Sequence, residues 1–203
     1  MAKKKFGAKQ IAILSAGITL VSFLYKIGLG IISSSIILMI ASISTLLVFI
    51  CKVLFIKFAN AEKDKKRKAY FAMMVAALAF GVLFLLFAVL KVGGIDTSSK
   101  NKFSGIIGLV FILFVILMFA LSIINLKGAL AKSDLMVLGL KEMIFVSALA
   151  DAVIIEEFLY KVFLQYQNIP FMYQINTYFP LIVAVVMLSV PVFMFKRFKG
   201  YES

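Results

Sequence analysis

Histidine and tryptophan are absent from the 203 residues, cysteine occurs once, proline three times, and acidic residues number 9 against 22 Lys and Arg. Each shortage excludes a class of chemistry. Without His there is no imidazole-based zinc centre, no Ser-His or Cys-His nucleophile and no imidazole switch near neutral pH. Cys51 alone forms no intrachain disulfide. No Gly-rich phosphate loop ending in Lys-Ser or Lys-Thr occurs, which argues against nucleotide hydrolysis. No cofactor or metal ligand set is legible.

What is present is apolar. Hydrophobic residues make up 64% of the chain, including 21 Phe, and leave too little polar sequence to cover a soluble core. The composition is that of a membrane protein. A helix crosses the hydrocarbon layer with about 20 apolar residues. Six stretches meet that length, at 10–32, 34–56, 70–92, 103–126, 138–163 and 179–195. The expected fold is therefore all-α: one transmembrane domain over 1–203, a six-helix bundle with no room in its connections for a soluble module.

Lys3, Lys4, Lys5 and Lys9 precede the first span as they would precede a signal peptide. The apolar run is too long for one, and it reads as an uncleaved span. With the N terminus in the cytoplasm, sixteen of the 22 cations fall on the cytoplasmic side and five on the other. Both termini are then cytoplasmic, and a bacterial cytoplasmic membrane is the expected location. The run between Lys57 and Lys68 reads as a basic connection set against anionic lipid headgroups rather than nucleic acid. The aromatic residues of 165–179, among them Tyr166, Phe171, Tyr173 and Tyr178, read as an interfacial belt.

Charges inside spans are the informative residues, because an ionised Asp at a helix centre costs about 2.5–3.5 kcal/mol on insertion. The fifth span concentrates them: Lys141, Glu142, Asp151, Glu156, Glu157 and Lys161. Glu157 and Lys161, four apart, are expected to form a structural ion pair. Asp151 and Glu156 lie about 140° apart around a helix and serve different faces. Asp151 is the leading candidate for a proton or cation site. Its competing role is a hydrogen-bonded acid that packs helices together. Ser42, Ser44 and Thr45 on the second span either line a polar seam or bond back to their own backbone.

Glu156-Glu157 followed by Phe158, Leu159, Tyr160 and Lys161 resembles the glutamate motif of CAAX-protease and bacteriocin-processing membrane proteins. That family has Arg where Lys161 stands and needs His from later helices, so no catalytic residue is carried over. Lys26, Gly30, Ser35 and Leu38 resemble the opening hairpin of cation diffusion facilitators. The resemblance implies six spans, cytoplasmic termini and a homodimer. Its metal positions fall on Ser44, Val48, Ser147 and Asp151, of which only Asp151 keeps the ligand type, and its soluble C-terminal domain has no counterpart after Arg197. The chain thus resembles a transporter domain whose metal site is degenerate, and is similar to uncharacterised small bacterial membrane proteins with this hairpin. The expected function is movement of a cation or proton along Asp151, Ser147, Ser44 and Glu156. The alternative is a non-catalytic membrane partner or accessory subunit; an enzyme is not expected.

Overall fold

The computed structural model describes residues 8–94, 113, 116–117, 119–120, 122–124, 134–160 and 170–200. Its elements are α1 (Ala8–Ile32), α2 (Ile36–Phe58), α3 (Lys63–Val92), α4 (Leu135–Leu159) and α5 (Pro170–Gly200). The described residues contain no strand.

The α1–α2 turn is made by three serines. Ser34 stands at φ 52°, Ser35 N–H donates to Gly30 O at 2.9 Å, and Ser34 N–H donates to Ile31 O at 3.2 Å. This is the double bond pattern that closes a helix through one left-handed residue. Ser35 then caps α2, its hydroxyl accepting from Leu38 N–H at 3.5 Å. Gly30 lets the hairpin close, since a Cβ there would stand 2.9 Å from Met39 Cγ and 3.1 Å from Met39 N.

The core lies between α2, α3, α4 and α5. Phe80, Phe84 and Met73 of α3 are fully buried with Met143, Val146 and Val153 of α4 and Met187 and Met194 of α5. Phe84 rests against Phe87 at 5.5 Å between ring centroids. Small residues set the closest approaches. A Cβ on Gly81 would meet Leu188 Cδ2 at 2.9 Å, and one on Gly139 would meet Tyr70 Cδ2 at 2.8 Å. By contrast α1 packs mainly on α2, and only 17% of its most apolar window is buried.

Four described helices are long and apolar enough to cross a membrane: Ala12–Ile32, Ile36–Phe58, Lys63–Val92 and Tyr173–Gly200. Six spans are therefore not all recovered. Most of 103–126 lies outside the described residues, although 113, 116–117, 119–120 and 122–124 are helical. Of the stretch expected at 138–163, residues 138–159 are helical in α4 and 161–163 lie outside the described residues; Lys141, Glu142, Asp151, Glu156 and Glu157 make the helix too polar to qualify on composition.

Two connections read from sequence turn out to be helix. Of the basic run, Lys57 lies in the last turn of α2 and the cations from Lys63 to Lys68 belong to the first turns of α3, leaving only 59–62 between the two helices. Its charges find local partners: Lys65 lies 3.4 Å from Glu62, Lys66 lies 3.6 Å from Asp134, and the Arg67 guanidinium sits 4.8 Å from the Phe198 ring centroid. Long side chains with helix-compatible stems reward the helix more than the loop. The aromatic belt is likewise helical from Pro170 onward, because α5 continues through Pro180 and Pro191. Neighbouring helices and local adjustment tolerate the two missing N–H donors in a membrane bundle.

Candidate functional site

Every acid of α4 from Glu142 onward meets a polar or basic partner from another helix, in three layers along the bundle.

The first layer is near the start of α4. Glu142, buried, accepts from Arg197 Nη1 of α5 through Oε1 and from the Tyr70 hydroxyl of α3 through Oε2 at 3.2 Å. Tyr70 is fully buried, with its hydroxyl also 3.4 Å from Met194 O. Its ring has space because Gly139 lacks a side chain. α4 starts here on the Asp134 cap, whose Oδ1 accepts from Met136 N–H at 2.8 Å.

The middle layer holds the residues singled out by sequence. Asp151 Oδ1 accepts from Lys26 Nζ of α1 at 2.6 Å, and the two side chains are 13% and 6% exposed. The same ammonium donates to Thr45 Oγ1 of α2 at 3.0 Å. One turn before Asp151, Ser147 Oγ stands 2.9 Å from Ser44 Oγ of α2. Ser44 Oγ donates to Ala41 O at 2.7 Å, which makes Ser147 the donor in the serine pair. Ser147 and Asp151 share a helix face because they are four apart. The seam is therefore both things the sequence allowed. Its hydroxyls bond back to backbone and also bridge helices.

The third layer is at the far end of α4. Glu157, 5% exposed, lies 3.7 Å from Lys91 Nζ of α3, and neither group has a hydrogen-bond partner among the described residues. The pair expected between Glu157 and Lys161 falls on a residue outside the described set; among the described residues the partner is Lys91. Glu156 accepts from Asn176 Nδ2 of α5 at 3.1 Å and 3.3 Å. It faces away from Asp151, so the structure separates Glu156 from the Ser44, Ser147 and Asp151 group rather than joining them in one path.

Lys26 is the partner of Asp151 that the sequence reading missed, having counted it only toward topology and the facilitator-like hairpin. The available signal was a single cation within an apolar span, 10–32, and Lys52 carries the same one within 34–56. Lys52 Nζ donates to Ser15 O at 3.1 Å, Ser15 Oγ at 2.8 Å and Thr19 Oγ1 at 2.5 Å, tying α2 to α1. All three ammonium donors are thereby used.

Val48, one of the facilitator-like metal positions, is buried in the apolar core. The described residues contain no group of three His, Cys, Asp or Glu placed to hold a metal. Asp151 is paired with one ammonium, which Thr45 shares, and the Ser44–Ser147 contact lies one turn earlier on α4. No protein-family model matches the chain, and no curated protein or solved structure matches it either.

Proposed function

We propose that the protein is a six-span transporter of the bacterial cytoplasmic membrane, with both termini cytoplasmic, that moves a proton or small cation through its bundle at Asp151. The observation that carries this reading is the 2.6 Å Lys26–Asp151 pair, shielded from solvent and built from two different helices. A pair buried in low dielectric is held strongly while intact, and removing one partner leaves the other highly unfavourable. In this reading the pair is the contact that transport must break and remake.

Lys26 acts as the built-in counter-ion. It sits on the least buried helix, so a small outward displacement of α1 withdraws the ammonium from Asp151. The carboxylate, one turn along α4 from Ser147, then takes up a proton or a cation in its place. Return of α1 restores the ammonium and expels the transported charge. The Ser44–Ser147 contact, which falls on two positions of the facilitator-like pattern, supports the same register of α2 against α4. The basic ends of α3 and α5 lie against anionic headgroups in this reading.

Proteoliposomes reporting protons and divalent cations test the proposal. Wild-type protein is expected to pass one of them, and Asp151→Asn, checked for monodisperse elution, to lower that flux at least tenfold. A folded wild type that passes neither, or an unchanged Asp151→Asn flux, overturns it. The alternative of a non-catalytic membrane partner draws support from Glu142, which is held by both Arg197 and Tyr70 as a fixed structural clamp. Folded protein without flux is its signature.

A further inference from the structure

α3 and α5 pack together from Gly81, where a Cβ would stand 2.9 Å from Leu188 Cδ2, to Phe71 and Phe198, whose ring centroids are 5.5 Å apart. Cations from both helices gather at that second contact. The Arg67 guanidinium rests 4.8 Å from the Phe198 ring centroid, Lys68 precedes Phe71 by three residues, and Lys199 Nζ lies 4.7 Å from the Phe195 ring centroid. Lys68 and Lys199 are exposed, and among the described residues neither has an acid within 4.0 Å. The acids described at this end are engaged or stand further out. Glu62 faces Lys65 at 3.4 Å, Asp134 faces Lys66 at 3.6 Å, Glu142 holds Arg197, and Asp64 lies one turn nearer the start of α3 than Lys68.

Beyond the cations the surface is hydrocarbon. Phe71, Val75, Leu78 and Val82 are all exposed and recur four, three and four apart, which puts them on one face of α3. From Phe71 to Val82 that stripe is about 16 Å long at 1.5 Å per residue. One leaflet contributes about 15 Å, half of the hydrocarbon thickness. Exposed Phe195, Val192 and Val185 extend from Lys199 along α5 in the same direction. Cations at the head of an apolar stripe one leaflet deep match an amphiphile with an anionic head and long chains, in charge and in length.

We propose that the Phe71–Phe198 junction is a discrete binding site for an anionic phospholipid, its phosphate held by Lys68 and Lys199 and its acyl chains lying along Val75, Leu78 and Val82. The site deepens the headgroup reading given above and rests on the cytoplasmic placement of these helix ends. A diffuse surface field attracts headgroups to every cation of this end alike. A site depends on the two lysines that flank the ring contact. The Phe71 and Phe198 rings fix the spacing between their helices.

The test is retention of radiolabelled dioleoylphosphatidylglycerol by the immobilised full chain in dodecylmaltoside, with dioleoylphosphatidylcholine as the zwitterionic probe. Saturable binding of the glycerol lipid is expected, at least tenfold tighter than that of the choline lipid. Lys68→Gln with Lys199→Gln, checked for monodisperse elution, is expected to weaken it at least tenfold, and Lys68→Arg with Lys199→Arg to retain it within about threefold. Lys57→Gln with Lys65→Gln removes the same charge away from the junction and should also leave binding within about threefold. Inorganic phosphate, which has no chains, is expected not to compete. Equal binding of the two lipids, equal losses from the two Gln pairs, or displacement by phosphate would each overturn the proposal. Binding in detergent requires neither flux nor a membrane orientation, so failure here is distinguishable from failure of the transporter reading.

Discussion

Among single residues, those with the fewest atoms constrain the bundle most. Gly139 faces Tyr70 and Met73 so closely that a methyl group would stand 2.8 Å from one and 3.0 Å from the other. Gly139→Ala is expected to destabilise by about 1–3 kcal/mol, the usual consequence of overpacking. Gly28, with nothing within 4 Å of its missing Cβ, offers the contrast. Gly28→Ala should be neutral or stabilising by up to about 1 kcal/mol, since Ala is the better helix former. Unfolding midpoints in detergent compare the two, and similar losses would contradict the packing of α3 on α4. Asp151 stood out in the sequence as a charged group in an apolar span, while Ser44 and Ser147 were reached through the facilitator-like spacing, and the structure sets those two serines 2.9 Å apart. Lys26 was not legible as a partner, since 125 residues separate it from Asp151 and a lysine near a span end reads equally well as a topology signal.

For whole helices, sequence pattern located α1, α2 and α4 to within a few residues but misjudged where α3 and α5 begin. Apolar content marks the stretch that can sit in lipid, whereas helix formation is a property of the backbone and continues past it. The charged opening of α3 and the aromatic opening of α5 are helical for that reason. Pairing between helices was beyond the sequence altogether, because no periodicity states which face meets which. The α2–α4 register is testable through its serine contact. In a Cys51→Ala background, Ser44→Cys with Ser147→Cys is expected to form an intramolecular disulfide on mild oxidation, as the hydroxyl oxygens are 2.9 Å apart. A mobility shift reversed by reductant would report it. No cross-link in folded protein would show that the two helices meet elsewhere.

The whole molecule turns on orientation and on how its charges are shared. The 59–62 connection and the Gly93–Gly94 turn cap opposite ends of α3. Single cysteines at Asn60 and Gly94, again without Cys51, should therefore react with a membrane-impermeant thiol reagent from opposite sides, Asn60→Cys from the cytoplasm. Labelling of both from one side, or of Asn60→Cys from outside, would refute the proposed topology. The sharing of charges bears on biogenesis. α4 carries acids that a lone helix would bring into the bilayer at a cost of several kcal/mol. Lys26, Tyr70 and Lys91, three of the groups that compensate them, lie on helices synthesised earlier, while Arg197 emerges last. α4 is thus poorly suited to leave the insertion machinery alone. In the proposed six-span arrangement, its entry into lipid depends on the helices synthesised before it, and it becomes fully compensated only when α5 arrives.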